Sequence, residues 1–507
     1  MSKEKQNENK NKNKKIKETK EKKVNKNKVS KLDKKDLKKV KKEDKEKLKK
    51  EKKEKRDYVN LKKKAKIIAI ICFSIILIEL IIMFVLHLIR ESKVSYVDTL
   101  YSIENINDDY YLASGSSNFR YSRYNEPFTY EYEDNIIKDK INTVYAEQAK
   151  LVKYDNELNV VFEKTFETQY DSIFYDANVV SDGIIAVGSY IYDEKQIPLK
   201  IRDGLVVKYD FDGNFLWSKN YQVLGDTEFK RVLPIEDGFI AVGQSIYENS
   251  EIGNHDQGGG IIVKYDLDGN IVWKSNWGGN KSGIFEGIVE TSDGYIVCGR
   301  DAANYGLLVK YDFEGNRIWI KNYANTDNVG MSEIKLKDDK LYIAGAYNTS
   351  EEKDEEGNQL YQYDACIFVY DLNGELIDIY DIPGDSDDHF NSLVLLDSKI
   401  VAIGYTSSSD IDIKNLNYKE NNYEGMLVEF DYEGKVLNTQ SYSGKNNEIL
   451  TEINLAILDT SDKINDTKPY VVVGYSNSKR KLFKGNNKDY YAKTLKYDEK
   501  LELLIEK

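Results

Sequence analysis

Two hydrophobic patterns divide this chain. From residue 94 onward, short runs alternate apolar and polar positions, as in Phe215-Leu216-Trp217-Ser218-Lys219-Asn220-Tyr221 and Phe229-Lys230-Arg231-Val232-Leu233-Pro234-Ile235. They are rich in β-branched and aromatic residues, and this period of two predicts strands. Ahead of them stands one unbroken apolar run, IIAIICFSIILIELIIMFVLHLI at 67–89, in which only Glu79 and His87 are strongly polar. As a helix this run is about 35 Å long, more than the ~30 Å hydrocarbon core of a bilayer, and it predicts one transmembrane helix.

The strands come in repeats. One phrase recurs as LVKYDNELNVVF, LVVKYDFDGNFLW, IIVKYDLDGNIVW, LLVKYDFEGNRIW, IFVYDLNGELID, LVEFDYEGKVLN and TLKYDEKLELLI, with its Asp at 155, 210, 266, 312, 371, 431 and 498. A second phrase precedes each copy (SDGIIAVG, EDGFIAVG and relatives), with its Gly at 115, 188, 243, 299, 345, 404 and 474. Each unit reads strand, Asp/Gly turn, strand, loop, strand, Asp-x-x-Gly turn, strand. Seven such units predict an all-β fold, a seven-bladed β-propeller of four-stranded antiparallel blades. An open solenoid would need polar capping repeats, which neither terminal copy supplies.

The blade motif Tyr209-Asp210…Gly213…Trp217, repeated from Tyr265 and from Tyr311, resembles the PQQ-like (quinoprotein-type) propeller repeats of bacterial proteins. The resemblance covers about 410 residues and implies a propeller. It departs from that family in a turn one residue shorter and in the lack of an adjacent Cys pair, which argues against bound PQQ.

Charge changes the picture at the N-terminus. Residues 1–66 carry 31 basic and 12 acidic side chains, whereas the remainder carries 43 and 74. The Lys/Glu-rich tail 1–66 has too few apolar residues to bury a core and reads as disordered or partly helical. Lys62, Lys63, Lys64 and Lys66 abut the span, against Arg90 and Lys93 beyond it, so the tail is expected in the cytoplasm and 94–507 outside. The expected organisation is thus a cytoplasmic tail 1–66, an uncleaved signal-anchor helix 67–89, and an extracellular propeller 94–507. The lipid bilayer is one expected partner, and each juxtamembrane Lys adds about 1 kcal/mol of attraction to an anionic leaflet. Glu79 inside the span marks a candidate contact with a partner helix.

In a blade of this order, the tight turns 1–2 and 3–4 share one face and the longer 2–3 and 4–1 connections share the other. Insertions on one face mark a binding face. The candidate residues lie there. Asp385, Asp387 and Asp388 form the densest acid cluster and a candidate calcium site. Asp226, Glu228, His255, Asp256, Arg300, Asp301 and His389 are candidate ligand contacts. The repeated Asp-x-Asp-Gly-Asn lacks the Gly and Glu positions of an EF-hand loop and reads as a hairpin turn. Trp217, Trp273 and Trp319 read as packing between blades, and Cys298 and Cys366 as buried thiols.

No nucleophile elbow, phosphate-cradling Gly loop or metalloprotease motif is present. The expectation is a membrane-anchored, non-enzymatic cell-surface binding or scaffold module, with no cofactor beyond a candidate calcium ion. Its ligand would be a protein or a carbohydrate. Nucleic acid is not expected on so acidic an outer domain. Two alternatives stand beside it: a propeller hydrolase using two carboxylates on carbohydrate, and a signalling protein that couples outer binding to the basic tail through Glu79.

Overall fold

The computed structural model describes residues 98–507 apart from the connecting segments 118–146, 192–201, 248–258, 278–282, 324–328, 351–360, 456–468 and 477–490 and some shorter breaks. Before residue 98 it describes only the helical positions Lys49, Lys53, Arg56, Tyr58, Lys62 and Lys66. The predicted span 67–89 with Glu79 therefore lies outside the described residues, as do His255 and Asp256. No helix among the described residues is long and apolar enough to cross a membrane.

Residues 98–506 form seven four-stranded antiparallel sheets, each made of four consecutive strands. Blade 1 covers 98–166, blade 2 172–221, blade 3 225–277, blade 4 284–323, blade 5 329–382, blade 6 388–442 and blade 7 448–506. The first strands, from Asp98–Asn107 to Glu448–Leu455, each neighbour the first strand of the next blade, and the last returns to the first. They are the innermost strands of a closed propeller. The second and third strands are almost wholly buried, as in Gly183–Tyr190 and Asp203–Tyr209, while the fourth, such as Phe215–Tyr221, is largely exposed. No strand is exchanged at the closure: blade 7 meets blade 1 through contacts such as Thr451 Oγ1 to Leu100 O at 2.9 Å and Lys496 Nζ to Asn156 O at 2.8 Å.

The Asp-x-x-Gly phrase is a 3–4 hairpin turn. Asp210 Oδ1 accepts the amides of Asp212 and Asn214 at 3.0 and 2.7 Å, and Gly213 takes φ 75°. A left-handed residue after a tight turn is what this hairpin requires. The repeated tryptophans do join blades, half-buried at the outer edge of the inter-blade core clusters: Trp217 lies over Gly269, Trp273 over Gly315 and Trp319 over Gly374 of the next blade, each so close that a Cβ would clash. Blades 1 and 7 replace the Gly by Leu158 and Leu501, both left-handed at φ 57° and 64° and both buried. Each packs into a core cluster shared with the preceding blade.

The second repeated Gly has a different task. Each first strand carries one extra residue, a bulge, opposite the glycine at 115, 188, 243, 299, 345, 404 or 474. A Cβ at Gly188 would stand 1.8 Å from the carbonyl oxygen of Ile173. Glycine is thus the only residue that lets the bulged strand approach, and the bulge re-aims one side chain per blade.

The longer connections fall on one face as expected, with one exception: the 456–469 connection of blade 7 joins strands one and two, on the opposite face. In blade 6 the 2–3 segment folds back over its own blade, burying Ile411 and Ile413 and pairing Lys414 O with Ser441 N at 3.0 Å.

Candidate functional site

The seven bulge residues are Tyr101, Tyr175, Lys230, Glu286, Ser332, Asn391 and Thr451. Each follows a buried apolar residue (Leu100, Phe174, Phe229, Phe285, Met331, Phe390, Leu450) and is itself only partly buried. All seven line one cavity of about 430 Å³ at the start of the innermost strands, on the loop-rich face. Tyr405, Tyr423 and Tyr475 complete its wall, so five tyrosines surround the cup. Tyr101 lies 5.4 Å from Tyr175 and 6.4 Å from Tyr475 between ring centroids, and Tyr405 4.8 Å from Tyr423. Burial pushes the phenols of Tyr101, Tyr175, Tyr405 and Tyr423 upward, which keeps them neutral hydrogen-bond donors.

Lys230 is, with Arg231, one of the two cations that line the cup. Its Nζ sits 3.7 Å from the Tyr175 ring centroid and 2.7 Å from Glu228 Oε2. Glu228 also takes Arg202 Nη1 at 2.7 Å. Burial works against the Glu228 charge, but Lys230 and Arg202 outweigh it and hold the carboxylate below its usual range. Asp226 accepts the amide of Arg202 at 2.8 Å and so ties blade 3 to blade 2. Asp171 does the same for Glu147 at 2.9 Å, and Asp387 for Tyr363 at 3.4 Å. Asp226 and Asp387 thus sit at a repeated inter-blade latch.

Beneath the cup, Arg231 also borders a second cavity, of about 460 Å³, at the other end of the innermost strands. Four carboxylates (Glu104, Asp176, Glu333, Glu452) meet two cations there, with Arg231 Nη1 at 2.7 Å from Glu452 and Lys335 Nζ at 2.6 Å from Glu333. Burial raises Glu104 to about 7 and raises Glu452 and Asp176 as well. Burial also opposes the Glu333 charge, but Lys335 and Arg231 outweigh it and hold that carboxylate low.

A third cavity, of about 300 Å³, lies between blades 4, 5 and 6 on the loop-rich face and shares Tyr405 with the cup. It brings together Arg300, Asp387, Asp388 and His389. Arg300 therefore borders this side pocket and not the central opening. Asp301 caps the tight 2–3 turn of blade 4, accepting the amides of Ala303 and Tyr305 at 2.8 and 3.0 Å. Asp388 is fully buried and burial raises it to about 6; burial lowers His389 to about 4. Asp385 points elsewhere, to the Ser409 amide at 2.7 Å and its hydroxyl at 2.5 Å. The acids of the predicted calcium site take separate partners, and among the described residues no group of three Asp, Glu, His or Cys side chains could hold a metal ion. Cys298 and Cys366 are free and buried, in one core cluster shared by blades 4 and 5.

The five tyrosines of the cup and the other bulge residues were not singled out by the motif reading. One signal for the bulge positions was present. Tyr175, Lys230, Glu286, Ser332 and Asn391 stand at one fixed interval before Gly188, Gly243, Gly299, Gly345 and Gly404.

No family model matches the sequence, and no curated protein matches it. Similar solved structures include the Kuenenia stuttgartiensis hydrazine synthase, at 13% identity over 52% of this chain and 60% of that chain, with TM-score 0.32. This chain therefore spans under two thirds of that protein's length. The Dos1 propeller matches at 10% identity over 74% and 90% of the two chains, TM-score 0.40. A Synechocystis apocarotenoid oxygenase matches at 10% identity over 80% and 90%, TM-score 0.39. A likeness at this level concerns the fold alone.

Proposed function

We propose that this chain is a membrane-anchored, cell-surface binding module that recognises an extracellular protein or carbohydrate through the cup of its propeller. The observation that carries this reading is the ring of bulge residues. The position before the bulge holds a buried apolar residue in every blade, whereas the bulge position varies freely among Tyr, Lys, Glu, Ser, Asn and Thr. A repeat that keeps this apolar anchor and varies the half-buried side chain next to it offers a composite surface. Aromatic rings with neutral hydroxyls beside two cations, Lys230 and Arg231, suit binding. Among the described residues that line the cup, only Glu286 is acidic, whereas a carbohydrate hydrolase needs two converging carboxylates.

The anchor rests on the 67–89 run and the Lys excess before it. Protease treatment of intact cells carrying an epitope after Lys507 should remove the propeller and spare the tail; a protected epitope would invert the topology. The binding role is tested with the full chain in lipid nanodiscs on glycan and peptide arrays. The wild type should retain ligands that a Tyr101→Ala, Lys230→Ala double variant loses with its unfolding midpoint unchanged. Equal binding by both proteins would remove the cup from the reading.

A further inference from the structure

The side pocket between blades 4, 5 and 6 exists because the repeat is broken in two places. In blade 4 the second and third strands are joined by the tight turn 301–305 instead of a longer segment. In blade 5 the position two before the bulge is Gly330, where the other blades carry Thr99, Ile173, Glu228, Ile284, His389 and Ile449. A Cβ at Gly330 would stand 2.8 Å from His389 Nε2 and close the pocket against that ring.

The walls leave polar groups unspent. Asp388 has 0% of its surface exposed; its Oδ2 accepts Ser408 Oγ at 2.8 Å, but its Oδ1 meets no donor among the described residues. His389 Nδ1 likewise has no partner there. Arg300 is exposed on the opposite wall and reaches Asn304 Oδ1 at 3.5 Å, a weak contact. A buried acceptor left open is destabilising, and a ligand donor would relieve it. Flat faces complete the site: His389 stacks on Tyr405 at 5.8 Å and 11° between ring planes, and Tyr363 stands nearby.

The charge pattern selects the ligand. A free anion would meet Asp387 and Asp388; a free cation would meet Arg300. Neighbouring hydroxyls of a sugar ring satisfy both walls, since each donates to a carboxylate and accepts from a guanidinium. The apolar face of the ring would lie against the aromatic side chains. Resting on the proposed binding role, we infer that the side pocket takes one neutral sugar unit, the terminal or branching residue of a glycan whose remainder lies in the adjoining tyrosine cup.

Saturation-transfer NMR on the full chain in nanodiscs tests this. The probes are methyl β-glucopyranoside, methyl β-galactopyranoside and methyl N-acetyl-β-glucosaminide, with glucuronate and glycine as charged controls. At least one neutral glycoside should show saturation transfer that Arg300→Met and Asp388→Asn each reduce by tenfold or more. Gly330→Val, which fills the pocket, should abolish it. If Gly330→Val does not fold, the two polar variants decide, since neither alters the backbone. Leu216→Ser, exposed on the outer strand of blade 2, should leave the monosaccharide signal in place. Saturation transfer from no neutral glycoside, an unchanged signal in both polar variants, or preference for glucuronate or glycine would overturn the assignment. If array ligands still bind through the cup while no monosaccharide does, only the pocket assignment falls. If neither binds, the binding role falls as well.

Discussion

A methyl group on Gly404 would stand 1.8 Å from the carbonyl oxygen of His389. This contact fixes the bulge at Asn391 and, through it, the direction of one side chain into the cup. Because the clash is with backbone, no rotamer change relieves it. Gly404→Ala is expected to cost about 3 kcal/mol or more. Urea unfolding of the variant measures this, and an unchanged midpoint would show that the bulge is not enforced by the glycine.

The outer clasp between Trp273 and Gly315 should show energetic coupling. Gly315 has φ 82°, and a Cβ would lie 2.6 Å from the Trp273 ring. Gly315→Ala should therefore cost backbone strain of about 1–2 kcal/mol plus a steric term. In a Trp273→Ala background the steric term disappears. A double-mutant cycle is expected to give a coupling of about 0.5–3 kcal/mol; additive losses would sink the clasp.

Removing one member of the buried ion pair should be costly. Arg231→Met leaves Glu452 without its 2.7 Å partner in a cavity already richer in carboxylates than in cations. Loss of one partner from such a pair costs about 3–5 kcal/mol. Burial already raises Glu452 and loss of Arg231 raises it further, so the deficit should be largest at alkaline pH and shrink as pH falls and the carboxyl takes up a proton; unfolding curves across the pH range make the comparison.

Glu104 predicts a slope in stability with pH. Burial raises this carboxyl from 4.5 in the unfolded chain to about 7 in the native one. Between these values the native state holds more protons than the unfolded state, so stability falls as pH rises through this window. Glu104→Gln should flatten that part of the profile. A profile identical to wild type would mean that the carboxyl titrates as it does in solvent.

Much of this architecture was written locally. The blade phrases, their count and the order strand, turn, strand, loop, strand, turn, strand could be read directly because Asp-x-x-Gly and the alternating runs depend on residues a few positions apart. Even the two-face division of the connections followed from strand order alone. Arg300 and His389 were marked as candidate ligand contacts and Asp388 as part of a candidate calcium site, and the fold brings these three to one pocket.

What the sequence could not decide depends on neighbours far along the chain. Which strand is innermost is settled by the ring that the first strands close, from Asp98–Asn107 round to Glu448–Leu455. The same ring turns Tyr101, Lys230 and Thr451, separated by hundreds of residues or nearly so, into one cup. It also gives the tryptophans, expected between blades, their partners: fourth strands face solvent, and each ring lies at the edge of an inter-blade core cluster over the next blade's turn. Local turn chemistry sets the blade; only closure of seven blades sets which side chains share a space, since that sharing is created by packing and by no single stretch of chain.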